Sequence, residues 1–358
     1  MSYLPYFLAA AASFILTLIA TPVVRRYALT RHIVDQPGGR RINQQPIPRL
    51  GGVAVVAAFW LVILVTAIVT PDQLNFTGQH LLGIDRNLFG VLLGSLILVS
   101  TGVIDDIRGL SPAQKFGAQI LAAVCVPLFG IHIQWLAHPL GGPDIQLPLW
   151  LDTALIIGWI VGVINVVNWL DGLDGLATGI STIAALILFF LSLATFVNQP
   201  ATALLAITAF GAGVGFLHYN FNPAKIFLGD SGSMFLGFLL AIIAVISGGK
   251  LATAGLVLGI PILDAAWVIL RRLAAGQKPW AADRKHLHHR LLDAGLSQKQ
   301  TVLLYWTFSA LFGAIALGSR TYGKTMTAVA MLGVMIGLGL ILVLLERKKL
   351  KKEVDLPE

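Results

Sequence analysis

Four polar side chains recur at every third position in Asn165-Val-Val-Asn168-Trp-Leu-Asp171-Gly-Leu-Asp174. On an α-helix a step of three falls short of a full turn by about 60°. Adjacent members of the series therefore share a face while its ends drift around the axis. Gly172 and Gly175 loosen the backbone beside the two carboxylates. The stretch lies where one long apolar run ends and the next begins. Two acids and two carboxamides are costly to desolvate there, so they point to a hydrophilic cavity, a bound cation, or both. A polar turn between two spans explains the acids, but it does not need two Asn inside the preceding helix.

Three further motifs carry chemistry of a matching kind. Asp105-Asp106 closes an apolar run. Adjacent carboxylates point in different directions on a helix; facing one cavity, each strengthens the other's hold on a proton and favours a cation or a general base. The bland alternative is a polar helix end. Asp230 stands in Gly229-Asp-Ser-Gly232, before another run. The glycines permit close approach of a ligand and exposed N–H groups can face an anion, although an Asp N-cap alone would explain Asp230. His286-Leu-His288-His289 lies in a basic loop. With no Cys and only Asp283 nearby, these histidines read as donors to a diphosphate, not as a zinc site. The loop from Asp35 to Gly52 is rich in Arg, Pro and Gly. It is either a basic segment beside a phosphate donor or an ordinary positively charged surface loop.

Five carboxylates are thus available from three segments: Asp105, Asp106, Asp171, Asp174 and Asp230. Oxygen-only ligands suit Mg2+, with Mn2+ as the alternative ion. Acids, a divalent ion and a basic His/Arg loop together fit phosphoryl transfer at a membrane face.

These residues must be positioned by membrane helices. Of 358 residues, 56% are hydrophobic and 12% charged, which excludes an ordinary soluble domain. Runs of about twenty apolar residues predict an all-α polytopic membrane protein, and no short alternating segments suggest a β-barrel. Eleven spans are expected, at 4–24, 51–70, 87–104, 114–130, 152–169, 173–197, 200–218, 231–248, 251–270, 301–319 and 325–345. The first reads as a span, since it has no basic n-region or cleavage site. Cys125 is the single cysteine, which excludes an intramolecular disulfide.

The spans alternate the loops between two sides. All of the 25 Lys and Arg except Arg86, Lys250, Arg320 and Lys324 fall on one side. By the positive-inside rule that side is cytoplasmic, with the N-terminus outside and the C-terminus inside. This placement also argues against nucleic acid as the partner of the net charge of +8. The chain reads as one integral membrane domain, 1–358, with basic cytoplasmic loops at 25–50 and 271–300 and a basic tail at 346–358. All four polar motifs fall on the same cytoplasmic side. The segment at about 131–151, with Gly141-Gly142-Pro143, reads as a small outer hairpin. An ion-coupled transporter is the rival class, but its acids should lie at mid-membrane, and only Asp264 falls inside a span, where it could pair with Arg271 or serve structure.

The chain resembles the polyprenyl-phosphate N-acetylhexosamine-1-phosphate transferases over nearly its whole length. The resemblance rests on Pro48-Arg-Leu-Gly-Gly52, Ile104-Asp-Asp-Ile, Gly109-Leu-Ser-Pro-Ala-Gln-Lys115, Asn165 to Ala177, Phe227-Leu-Gly-Asp-Ser-Gly232 and Asp283-Arg-Lys-His-Leu-His-His-Arg-Leu291. Eleven spans and the His-x-His-His spelling are similar to the UDP-GlcNAc:undecaprenyl-phosphate GlcNAc-1-phosphate transferase branch; the phospho-MurNAc-pentapeptide branch is the alternative. The resemblance implies a bacterial inner-membrane enzyme with a cytoplasmic site. It implies that a polyprenyl phosphate, undecaprenyl phosphate, attacks the sugar-linked phosphorus of a UDP-N-acetylhexosamine and that UMP leaves. It implies Asp230 and Asn168 as Mg2+ ligands, Asp105 or Asp106 acting on the lipid phosphate, Asp174 meeting the uracil and Asp171 ordering the site. Lys115 and His289 would contact phosphates, with His286, His288 and Arg284 nearby. A homodimer is also in keeping with the resemblance. Many relatives of the GlcNAc branch carry Lys and His where this chain has Arg41 and Asn43. Arg41 keeps the charge of a substrate-binding first loop but not its geometry.

Overall fold

The computed structural model describes residues 3–36, 45–133, 135–136, 138, 142–246, 251–278, 286–319 and 321–354. In chain order the elements are α1 (Leu4–Thr30), β1 (Val34–Asp35), β2 (Ile47–Pro48), α2 (Gly51–Val69), a 3-10 turn at Pro71–Leu74, β3 (His80–Leu81), β4 (Ile84–Asp85), α3 (Arg86–Arg108) and α4 (Pro112–Leu128). There follow β5 (Trp135–Leu136), β6 (Ile145–Gln146), α5 (Leu149–Leu170), α6 (Leu176–Leu193), α7 (Pro200–Asn220), α8 (Gly229–Ile246) and α9 (Leu251–Val257). The last are α10 (Gly259–Ala274), α11 (Leu287–Asp293), α12 (Gln298–Gly318) and α13 (Thr321–Val354).

The expected all-helical membrane architecture is present. Among the described residues nine helices are long and apolar enough to cross a membrane, and the bent pair α9–α10 makes up to ten. α4, of 17 residues, takes the place of the fourth expected span. Its start is set by Pro112 in the first turn and by a capping box in which Ser111 and Gln114 exchange hydrogen bonds.

One expectation is corrected. The ninth span, expected as one helix over 251–270, breaks at Leu258 with a bend of 80°. Pro261 is the reason: it has no N–H for the carbonyl of Val257, so it fits the first turn of a new helix and not the interior of an old one. The last span keeps its expected end, with the apolar stretch at Tyr322–Leu344, and its helix continues to Val354 through most of the basic tail. In the segment expected as an outer hairpin, 131–151, the described strands pair antiparallel, with Trp135 opposite Gln146 and Leu136 opposite Ile145.

The centre of the bundle is α8. Every residue from Ser231 to Val245 is buried, as expected of a helix apolar on all sides. It packs against α2, α3 and α5. Small residues make these approaches close: a Cβ added at Gly52 would fall on the backbone of Gly232, and one added at Gly102 on the backbone of Ser231. The start of α8 is therefore wedged between the start of α2 and the end of α3. The ends of α1, α5 and α7 and the starts of α6 and α12 gather at this same end of the bundle.

Candidate functional site

A cavity of about 950 Å³ opens at that end. Asp106, Asp171, Asp174, Asp230 and His289 line it, together with Arg25, Arg49, Lys225, Asn222 and Gln298. Four of the five acids picked out from the sequence thus meet in one space, delivered by the end of α3, the α5–α6 turn and the start of α8.

Asp106 builds the floor. Its Oδ1 accepts the N–H of Asp230 at 3.1 Å; its Oδ2 accepts the N–H of Ser231 at 3.3 Å and the Ser231 hydroxyl at 3.0 Å. The last turn of α3 therefore caps the first turn of α8, satisfying N–H groups that have no partner within the helix. Gly229 has φ +74° and a Cβ there would collide with the Asp106 carboxylate, so the motif needs glycine at this position. Asp171, just past the end of α5, accepts the Gly229 N–H at 3.1 Å.

Asp105 and Lys115 stand behind Asp230. The Lys115 ammonium lies 2.8 Å from Asp230 Oδ2 and 3.3 Å from Asp105 Oδ2. Asp105 Oδ1 also accepts the Leu110 N–H at 2.7 Å, which ties down the turn between α3 and α4. Asn168 donates through Nδ2 to Asp230 Oδ1 at 3.1 Å and to Ser233 Oγ at 2.9 Å. Asn165, one turn deeper, donates instead to Gln119 Oε1 at 2.7 Å and so joins α5 to α4. Asp174 faces another wall: its Oδ2 accepts from Asn222 Nδ2 at 2.9 Å and from the Ala224 N–H at 3.0 Å.

The charge balance on the floor is strained. Asp171 keeps some exposure at the cavity, yet the surrounding protein desolvates it and pushes its carboxyl well above the usual range; the charges of Asp230 and Asp106 add to the effect. The Gly229 N–H and Arg49 work in the opposite direction. Among the described residues no group of three His, Cys, Asp or Glu converges as a metal cage. The donor set is one of oxygens with a concentration of negative charge, which suits Mg2+ held by one or two carboxylates together with substrate phosphates.

The three histidines part company. His289 lines the cavity. His288 is buried, with its ring against Gly172, and burial followed by the neighbouring His289 and His286 holds its pKa well below the ordinary value. His286 places Nδ1 3.0 Å from Asp264 Oδ2, while Asp264 Oδ1 accepts the Leu287 N–H at 2.8 Å. Asp264 thus seats α11 on α10. His286 and His288, expected to bind substrate, do not border the cavity. Arg41 and Arg284 lie outside the described residues.

Sequence reasoning missed Arg49, Asn222 and Gln298. Arg49 sits inside the Pro48–Gly52 motif and read only as one charge of a basic loop, either beside a phosphate donor or setting orientation, with no role of its own. Asn222 donates to both Asp174 and Gln298, the latter at 2.7 Å, but a lone Asn in a loop and a Gln at a helix start carry no pattern that would reveal such a contact.

The chain is similar to known proteins over most of its length. The sequence pattern of glycosyl transferase family 4 matches residues 88–248. A Bacillus subtilis protein named as a probable undecaprenyl-phosphate N-acetylglucosaminyl 1-phosphate transferase is 31% identical over 317 residues, covering 86% of this chain and 84% of its own. The chain belongs to glycosyl transferase family 4. Other members are similar over comparable lengths. The decaprenyl-phosphate N-acetylglucosaminephosphotransferase of Mycobacterium tuberculosis is 31% identical, with 93% of this chain and 87% of its own covered. The phospho-N-acetylmuramoyl-pentapeptide-transferase of Staphylococcus epidermidis is 28% identical, with 88% and 98% covered. The family pattern runs from α3 through α8, the part of the chain that supplies Asp106, Asp171, Asp174 and Asp230.

Proposed function

We propose that the cavity transfers N-acetylglucosamine-1-phosphate from UDP-N-acetylglucosamine to undecaprenyl phosphate, releasing UMP, at the cytoplasmic face of the membrane. The observation that carries this reading is the convergence of Asp106, Asp171, Asp174 and Asp230 on one cavity at the end of a membrane bundle, with Arg49 and His289 beside them. A soluble donor can enter such a cavity from water while a lipid acceptor reaches it from the bilayer. The names of the relatives favour an N-acetylglucosamine donor and a polyprenyl phosphate acceptor.

Asp230 and Asn168 would hold Mg2+. When bound, the ion would neutralise charge on the donor diphosphate. Asp106 borders the cavity and its partner Asp105 does not, so Asp106 is the acid that orients the attacking lipid phosphate and accepts its proton. Asp105 and Lys115 keep Asp230 in place. Asp174, with Asn222 and the Ala224 N–H, forms a wall of donors and acceptors suited to a nucleobase edge. His289 brings a donor for phosphate oxygens.

The test is to incubate the purified protein with undecaprenyl phosphate, Mg2+ and a panel of UDP-sugars and to measure UMP. Release with UDP-N-acetylglucosamine above the other sugars is expected. No UMP from any N-acetylhexosamine donor would refute the reading. Asp230→Asn should abolish turnover at any Mg2+ concentration, and Asp174→Ala should weaken nucleotide-sugar binding more than lipid binding.

A further inference from the structure

The floor of the cavity is acidic, but among the described residues its mouth carries three cations: Arg25, Arg49 and Lys225. Two of them have other engagements. Arg25 Nε donates to the backbone carbonyl of Lys225 at 3.0 Å. The Lys225 ammonium lies 6.0 Å from the centre of the Tyr219 ring. Arg49 is held differently. One terminal nitrogen, Nη2, pairs with Asp35 Oδ1. The Asp35 side chain is 7% exposed and that of Arg49 is 30% exposed, so the carboxylate is buried behind a guanidinium that reaches open space. A guanidinium has five N–H donors in one plane. A single buried carboxylate oxygen leaves further donors for a second anion.

The backbone under Arg49 is fixed as well. Its own N–H donates to the Ile33 carbonyl at 3.1 Å, just beyond the β1–β2 pairing. The Phe227 N–H donates to Pro48 O at 2.8 Å, and the N–H groups of Gly51 and Gly52 donate to Phe227 O and Leu228 O at 3.0 and 2.7 Å. The residues on either side of Arg49 are therefore bonded to the segment that ends in Asp230. Arg49 also acts electrostatically on Asp171, favouring its ionised form. A cation on a rigid seat, oriented by a buried acid, is arranged for an anion that has to arrive in one geometry.

We infer that Arg49 binds phosphate oxygens in this cavity and that Asp35 is the residue that positions it. The inference rests on the transferase reading and deepens it. The shared chemistry is a phosphoryl group, which a nucleoside diphosphate and a lipid phosphate both carry. If the pair merely closed the β1–β2 hairpin, its loss would lower stability without changing the preference for phosphate.

The experiment compares the full-length protein with Arg49→Ala, Arg49→Lys, Asp35→Asn and the double variant Arg49→Ala/Asp35→Asn. Binding of UDP and of uridine is measured by calorimetry in detergent, and binding of undecaprenyl phosphate in nanodiscs, with thermal unfolding followed for each variant. Wild type should bind UDP more tightly than uridine. Arg49→Ala should cut that ratio by about tenfold or more, the range of a charge-assisted hydrogen bond. Arg49→Lys should be intermediate, since it keeps the charge and loses the fork. Asp35→Asn should reduce the ratio less, and should have no further effect once Arg49 is Ala. Loss confined to undecaprenyl phosphate would support the inference and assign the phosphate to the lipid. An unchanged ratio and unchanged lipid affinity in Arg49→Ala would overturn it, whatever happens to the melting temperature. So would a wild-type protein that prefers neither phosphate. Binding needs no turnover, so a wild type that binds UDP but releases no UMP would refute the transferase reading while leaving this one standing.

Discussion

Lys115 of α4 is bound to Asp230 of α8, 115 positions later in the chain, by an ion pair of 2.8 Å that also reaches Asp105 at 3.3 Å. The ammonium is what lets two carboxylates from different helices stand close together. Lys115→Met keeps the length of the side chain and removes the charge, leaving the acids to repel. Both carboxylates and the lysine retain partial exposure, so the cost should be about 1–3 kcal/mol, below that of breaking a wholly buried pair. Thermal unfolding in detergent should show a lower melting temperature for Lys115→Met and nearly full recovery in Lys115→Arg. Equal melting of all three proteins would mean that water, not Lys115, balances the acids.

Asp171 should make stability depend on pH. Its carboxyl titrates above the usual range because burial and the charges of Asp230 and Asp106 disfavour the ionised form. The folded state therefore holds this proton more tightly than the unfolded state. The contribution is fully present below the unfolded value, about 4, and is lost as pH rises through the raised folded value. Asp171→Asn keeps an acceptor for the Gly229 N–H and carries no charge. In EDTA it should melt above wild type at pH 8, with the gap closing towards pH 4. Added Mg2+ should raise the wild-type melting temperature more at pH 8 than at pH 5. A gain from Mg2+ that is the same at both pH values would argue against a cation near this acid.

How far the site could be read from the sequence depended on the kind of signal. Apolar runs and the sidedness of Lys and Arg bring Asp106, Asp171, Asp174 and Asp230 to one end of one bundle, because each motif lies at a span end and the spans alternate. That Asp106 caps α8 while Asp105 turns to Lys115 needs the helix phase at the end of α3, which a pair of adjacent acids leaves open. The histidine motif looked uniform, yet burial separates His288 from His289, and the acid that seats His286 is Asp264, read from the sequence as a partner for Arg271 or a structural residue. The break at Leu258 was legible in Pro261 but was hidden by the continuous apolar run around it. Arg49 was hidden because an arginine in a basic loop is the commonest thing such a loop contains.

Gly52 tests how tightly the start of α8 is held. A methyl group there would fall on the backbone of Gly232, which has no flexible side chain to move aside. Gly52→Ala should therefore force α2 from α8, at about 1–3 kcal/mol or more. It should also displace Asp230, two residues before Gly232, so UMP release should fall with stability. Gly117→Ala is the control: it lies inside α4 with no atom within 4 Å of an added Cβ, and better helix propensity should make it neutral or stabilising by up to about 1 kcal/mol. Comparable losses in the two variants would remove close packing as the explanation.

Asp264 should matter to the reaction although it does not border the cavity. α11 has seven residues, too few to persist as a helix without tertiary support. Its seat is Asp264, which accepts the Leu287 N–H at 2.8 Å and meets His286 Nδ1 at 3.0 Å. His289, two residues along the same helix from Leu287, is the histidine that reaches the cavity. Asp264→Ala frees both partners and should let α11 shift, and a shift of about 1 Å at a reacting group can cost on the order of 10²-fold in rate. Asp264→Asn separates support from chemistry. Its carbonyl oxygen can still accept from Leu287, but its amide must then donate to His286 Nδ1, which moves the imidazole proton to Nε2. The Asn variant should melt near wild type and show an intermediate kcat/KM; the Ala variant should lose both. Wild-type kcat/KM in Asp264→Ala would show that His289 keeps its place without this seat, or that it has no part in the reaction.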